Sequence, residues 1–340
     1  MSAAETTTPK VPPTRHSSPP PGTGPGSGVE PAPAPRPGKR RGGPRAGGAV
    51  PWALLAPTML VLGLVMGYPL VRLVTLSFQQ FGQPQLWGFK PAEWTGLANY
   101  TSILGDGEFW QVVWRTVWFA GGAVVLTLVL GMLIALLLQR VSPWVKTLVN
   151  ISLVASWAMP VIVAVTVFKW MFDSDYGVLN WLISKLPGVD FDGHNWFATG
   201  PQGLTVIMLL VVWGAVPFVA ITLGAGLTQV PKELEEAARL DGAGPLGIFR
   251  YVTLPILKPI IVMLTTLSVI WDMGVFPQVY LMRGGHPEPE FQLLTTYSYT
   301  KAFVVNDYGG GSAIAVITVA LLLGVVAVYM RQMLKIGEVE

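Results

Sequence analysis

The chain has 340 residues, of which 51% are hydrophobic and only 12% charged, with a net charge of +3. A soluble domain carries about 25% charged residues, so this composition excludes an ordinary soluble globule and points to a polytopic membrane protein. It has no cysteine, and its three histidines (His16, His194, His286) lie far apart, which excludes disulfide scaffolds, Cys-ligated metals and Cys nucleophiles.

Residues 1–48 contain 12 Pro and 9 Gly and no Leu, Ile, Phe, Trp or Tyr. Such a segment cannot bury enough apolar surface to offset its ordering entropy, so it is expected to be a disordered tail. It ends in a basic cluster of Arg36, Lys39, Arg40, Arg41 and Arg45. That cluster reads either as a lipid- or partner-binding tail or as a topogenic positive flank. Residues 49–340 are expected to form one transmembrane domain.

Six apolar stretches follow, at about 50–71, 116–138, 147–168, 203–228, 259–282 and 309–330. Each is long enough to cross a hydrocarbon core of about 30 Å as a helix. Arg72, Arg115 and Lys169 stand at their edges, where long side chains snorkel, and Trp52, Trp118, Trp170 and Trp181 fall near expected interfaces. If the N-terminus is inside, the inner segments hold fifteen Lys and Arg and the outer ones four. The asymmetry predicts an all-α, six-helix membrane bundle with both termini inside.

Asp272 is the one acid or base within the six stretches. An ionised group in mid-membrane costs roughly 2.5–3.5 kcal/mol on insertion scales, so it should face the bundle interior, a wet cavity or a polar partner. Expected near the middle of the fifth stretch, it reads equally as an acceptor for substrate hydroxyls or as a structural group, either a polar contact between helices or a buried protonated carboxyl. Its neighbours Trp271 and Phe276 offer faces for a ring to stack on or simply pack. In the fourth stretch, Pro217 removes the helical partner of the Trp213 carbonyl, and such a group is tolerated only inside protein or at a cavity. No phosphate-binding loop, dinucleotide fingerprint or metal-binding H-E-x-x-H is present, so neither catalysis, a cofactor, a metal nor nucleic-acid binding is expected.

The inner loop between stretches four and five, residues 229–256, carries the most information. Pro231 suits a first helical position, Glu233, Glu235 and Glu236 favour the positive end of the dipole, and Glu235 and Arg239 form an i, i+4 pair. Gly242 is placed to end the helix in a left-handed cap. The result is a short acidic, Ala-rich amphipathic helix. Its chemistry fits a protein partner better than a bilayer surface, which favours basic faces and bulky anchors.

Within this loop, Glu236-Ala237-Ala238, then three residues, Gly242, nine residues, Val252, one residue and Leu254-Pro255 resemble the EAA loop of binding-protein-dependent ABC importer permeases; Val252 stands where that family usually has Ile. Further segments resemble the carbohydrate-uptake branch, in particular its maltose-type first permease subunit. They are Tyr68-Pro69-Leu70 through Ser77-Phe78, Gly96 to Tyr100, Asp175 to Asn180, Gly284-Gly285 and Tyr297 to Phe303. The likeness covers roughly residues 50–335. It implies a permease of the type I fold in a prokaryotic plasma (inner) membrane, without catalysis of its own. It also implies a second permease as partner, two cytosolic ATPase subunits, an extracytoplasmic binding protein and a sugar or oligosaccharide cargo moved by alternating access. Glu236, Ala237, Ala238 and Gly242 would be the ATPase contacts. Trp213 and Phe218, in a Trp-x-x-x-Pro-aromatic segment, would lie with Asp272 and Phe276 along the sugar pathway. The rival reading is an ion-coupled secondary transporter working alone with Asp272 as its coupling carboxyl. It predicts internal repeats, and none is evident in the six stretches.

Overall fold

The computed structural model describes residues 49–337; the tail 1–48 and its basic cluster lie outside the described residues. The chain divides at Thr58/Met59, and the larger unit, beginning at Met59, carries most of the helices. Most described residues are helical, and the helices arise where the apolar stretches were expected, with shifted ends.

The first span comprises α1 (Ala49–Leu62), a π-helical turn at Gly63–Gly67 and α2 (Tyr68–Ser77). Its side chains from Leu54 onward are nearly all exposed. A small motif closes its end: β1 (Gln79–Gln80), α3 (Gln83–Leu86), β2 (Glu93–Trp94) and α4 (Ala98–Leu104), with Gln79 paired antiparallel to Trp94. Here the Gly96–Tyr100 segment acts as a clasp. The Asn99 side-chain amide donates to the carbonyls of Ser77 (2.9 Å) and Gln79 (3.0 Å), and the Tyr100 hydroxyl meets that of fully buried Ser77 at 2.7 Å.

Span two is α5 (Gly107–Leu138), whose first turn is capped by Asp106 accepting from the Glu108 amide. The third stretch is not one helix. α6 (Pro143–Trp157) and α7 (Val161–Met171) meet at a bend of 100°, because Pro160 supplies no amide for the turn before it. α8 (Val178–Ile183) leads to span four, α9 (Gly200–Leu227), the most buried span. α9 is apolar on every side, as a helix at the centre of a bundle must be. α5 runs against it so closely that a Cβ on Gly131 would stand 2.6 Å from Val219 Cγ1. Leu204, Ile207, Leu210, Phe119 and Phe291 form the main core.

α10 (Lys232–Leu240) and α11 (Pro245–Ile248) follow; a π turn at Phe249–Thr253 joins α11 to α12 (Leu254–Met273). The fifth stretch therefore differs from the expected 259–282: the helix begins earlier, at Pro245, and stops at Met273. Pro277, which would interrupt a continuous helix, instead opens a new one, α13 (Pro277–Met282). α14 (Leu294–Tyr299), a π turn at Thr300–Val304 and α15 (Tyr308–Gly337) complete the chain. By length and composition five helices could cross a membrane, or six if the bent pair counts as one span.

The loop between α13 and α14 is tied down at the long-loop end of the bundle. Arg115 Nη1 donates to the carbonyls of Pro289 and Gln292, and the Leu294 amide donates to the Thr116 hydroxyl at 2.9 Å. Arg283 lies over the Phe291 ring (4.2 Å to its centroid) and donates through Nε to Glu288 at 2.8 Å. That bond holds the Glu288 carboxyl below its usual range.

Candidate functional site

Two regions draw the singled-out residues together. The first is α10 and its cap. Pro231 sits one position before the helix rather than inside it, with extended ψ, and α10 begins at Lys232. At the other end Gly242 has φ +85°, which an L side chain rarely adopts. The Ala243 amide donates to the Ala238 carbonyl (2.9 Å) and the Gly242 amide to the Arg239 carbonyl (3.0 Å), the paired bonds of a Schellman cap. Glu235 and Arg239 approach to 3.8 Å with both side chains in contact with solvent, a pair worth at most about 1 kcal/mol.

No residue of α10 is buried. Glu236, Ala237 and Gly242 are exposed and Ala238 is partly covered. Leu240 is 90% exposed, and Leu246 and Tyr251 close by are almost as bare. Behind the helix a cavity of about 390 Å³, bordered by Leu136, Arg140, Glu235 and Ile248, separates it from the ends of the spans. A helix this short has little stability without tertiary contacts, so an exposed one with bare leucines presents a surface for another molecule.

The second region is a cavity of about 260 Å³ between the bend of α6 and α7, α9 and the end of α12. Asp272 and Trp213 both line it. Asp272 does not lie near the middle of its span, as the sequence suggested, but in the last turn of α12, where it is 3% exposed. Its Oδ2 accepts no hydrogen bond from any described residue, and neither does buried Oε1 of Gln278, which lines the same cavity. A buried acceptor without a donor costs about 1–3 kcal/mol, so both oxygens invite a donor from outside the chain. Trp157 and Trp271 add indole faces to the wall. Phe218 stands just behind, edge-on to Trp271 (5.5 Å) and stacked on Trp157 (6.4 Å).

Phe276 is elsewhere. It lies in the break after α12, stacked on Tyr280 at 5.1 Å and edge-on to Tyr299 at 5.2 Å. It borders a separate, largely apolar groove of about 730 Å³ that also touches Tyr68 and Arg72 of α2. Gln278 and Trp157 escaped the sequence reading. A neutral amide in a presumed continuous span drew no notice, yet Pro277 beside it marks a break; Pro160 gives the same signal beside Trp157. Among the described residues there is no cluster of His, Asp and Glu able to hold a metal.

The comparisons with known proteins bear on the family and the fold. Residues 127–335 match the family described as binding-protein-dependent transport system inner membrane component. The chain is 43% identical over 304 residues to the diacetylchitobiose uptake system permease protein DasB of Streptomyces coelicolor, covering 89% of this chain and 92% of that one. It is 37% identical to the sulfoquinovosyl glycerol transport system permease protein SmoG of Agrobacterium fabrum (82% and 88% covered). It is 34% identical to the trehalose/maltose transport system permease protein MalF of Thermococcus litoralis (69% and 78% covered). A chain in the crystal structure of a bacterial alginate ABC transporter shares the fold, with a TM-score of 0.68 at 16% identity over 82% of this chain and 91% of that one. This chain, a multi-pass inner-membrane protein, therefore belongs to the binding-protein-dependent transport system inner membrane component family of ABC transporter permeases.

Proposed function

We propose that this chain is the non-catalytic permease subunit of an ATP-driven importer for a sugar or oligosaccharide. Its partners would be a second permease, two cytosolic ATPase subunits and an extracytoplasmic sugar-binding protein. The three relatives named above are described as handling diacetylchitobiose, sulfoquinovosyl glycerol and trehalose or maltose, which supports a glycoside as cargo. The excess of Lys and Arg on one set of loops supports both termini inside, which puts α10 in the cytosol and the long loops outside. The observation that carries the proposal is α10 itself: a capped acidic helix with no buried residue, ended by left-handed Gly242, with Glu236 and Ala237 exposed and Ala238 partly covered. A partner ATPase would grip this helix within the 229–256 loop, and its closure on ATP would turn the cavity from inward- to outward-facing.

In this reading Asp272 and Gln278 accept from cargo hydroxyls, while Trp213 and its aromatic neighbours offer stacking faces. Phe218 supports the wall, and Phe276 serves the segment after α12.

The chain lacks cysteine, so Ala238→Cys introduces a single thiol. In the intact transporter a benzophenone maleimide attached to that thiol is expected, on illumination, to link that position to an ATPase subunit. Capture of no partner would remove the coupling role, and uptake by this chain alone driven by an ion gradient would favour a stand-alone carrier. Asp272→Ala should lower sugar uptake about tenfold, the worth of a hydrogen bond to a charged group, with the cross-link intact. Uptake at the normal rate and affinity would remove Asp272 from the pathway.

A further inference from the structure

The long-loop end of α5 carries a feature that the transport reading leaves unused. Trp110, Trp114 and Trp118 recur every fourth residue, which aligns them on one helix face, and they are 53%, 71% and 44% exposed. At about 100° per residue, exposed Val125 and Val129 continue the same stripe toward the middle of the span. Beside Trp114 and Trp118 is a cavity of about 370 Å³, closed by Arg115, Gln111, Glu290 and Leu204.

Two opposite charges border this cavity without meeting. Arg115 uses Nη1 for the carbonyls of Pro289 and Gln292, while no acceptor is found among the described residues for its Nε or Nη2. Glu290 accepts from the Gly200 amide through Oε2 (3.1 Å), leaving Oε1 free. The ion pairs among the described residues are Glu235–Arg239, Arg283–Glu288 and Lys301–Asp307; Arg115 and Glu290 are not paired. A cation and an anion held apart at the rim of a membrane helix fit a ligand that carries both signs.

We propose that this cavity seats the headgroup of a phosphatidylethanolamine-type lipid. Its phosphate meets the free guanidinium edge of Arg115, its ammonium meets Glu290, and an acyl chain runs along Val125 and Val129. The occupant is a lipid because the stripe belongs to a helix that crosses the membrane, and indoles favour the zone where an apolar body meets polar headgroups. Trp114 is also far more exposed than a side chain buried within the chain's own core. With the orientation proposed above, the lipid belongs to the outer leaflet.

Native mass spectrometry of the full transporter tests this, with dioleoyl phosphatidylethanolamine, phosphatidylcholine and phosphatidylglycerol offered at equal concentration. Phosphatidylcholine lacks ammonium N–H donors and phosphatidylglycerol lacks the cation. The ethanolamine lipid is expected to be retained about threefold over either, the worth of one exposed charge contact. The Trp114→Ala/Trp118→Ala variant should lose this preference. Glu290→Gln keeps an acceptor for Gly200 and should shift retention toward phosphatidylglycerol, which covers the case in which the double variant folds poorly. Equal retention of the three lipids, or a preference unchanged in both variants, would overturn the proposal. So would a cross-link from Trp114→Cys to the second permease, which would make this face a subunit interface.

Discussion

Gly242→Val is expected to lower sugar uptake more than tenfold while leaving the amount of folded chain in the membrane unchanged. A Cβ at this position meets nothing within 4 Å, so the defect is conformational rather than steric crowding. At φ +85° an L residue is strained by about 1–2 kcal/mol, and a β-branched one resists most. The chain escapes by breaking the bonds that Ala243 and Gly242 make to Ala238 and Arg239, which swings α10 off its angle. Gly242→Asn tolerates the left-handed region and should transport nearly as well as the parent. Measuring uptake and binding-protein-stimulated ATP hydrolysis in all three proteins settles the matter. A valine variant with normal values for both would end the claim that this helix couples the two events.

The second large effect concerns stability. Asn180 is 4% exposed, and its side chain ties one loop together. Its amide donates to the carbonyls of Asp173 (3.4 Å), Ser174 (3.1 Å) and His194 (2.9 Å), and its Oδ1 accepts from Trp196 Nε1 at 2.6 Å. Asn180→Ala leaves the carbonyls of Ser174 and His194 and the Trp196 indole N–H without these partners in a half-buried setting, while the Asp173 carbonyl keeps the Gly177 amide (3.2 Å). A loss of about 3 kcal/mol is expected, read as a lower thermal midpoint of the purified protein. An unchanged midpoint would show that the loop holds without this residue.

Asn180 also shows what kind of information the sequence carried. The segments 96–100 and 175–180 were recognisable by resemblance, but nothing in their spacing said what they do. The structure gives them clasping work: Asn99 and Tyr100 close the end of α2, and Asn180 gathers carbonyls from two sides of a loop. The existence of the spans was legible because long apolar runs have few other solutions in lipid. Their ends were less so. Hydropathy could not see the 100° bend at Pro160, nor that the helix preceding Asp272 starts as far back as Pro245. Gly242 was legible because its conformation is a local demand on one residue type. The place of Trp157 and Gln278 beside Trp213 and Asp272 was not, because it depends on three spans meeting.

The run from Pro245 to Met273 also has a mechanical meaning. Its 29 residues make a rod of about 43 Å at 1.5 Å per residue, with one end three residues past Gly242, the cap of α10, and the other at Asp272. A rod cannot tilt at its base without displacing its tip. Any torque applied at Gly242 is thus delivered, with little slack, to the carboxylate that stands at the far end.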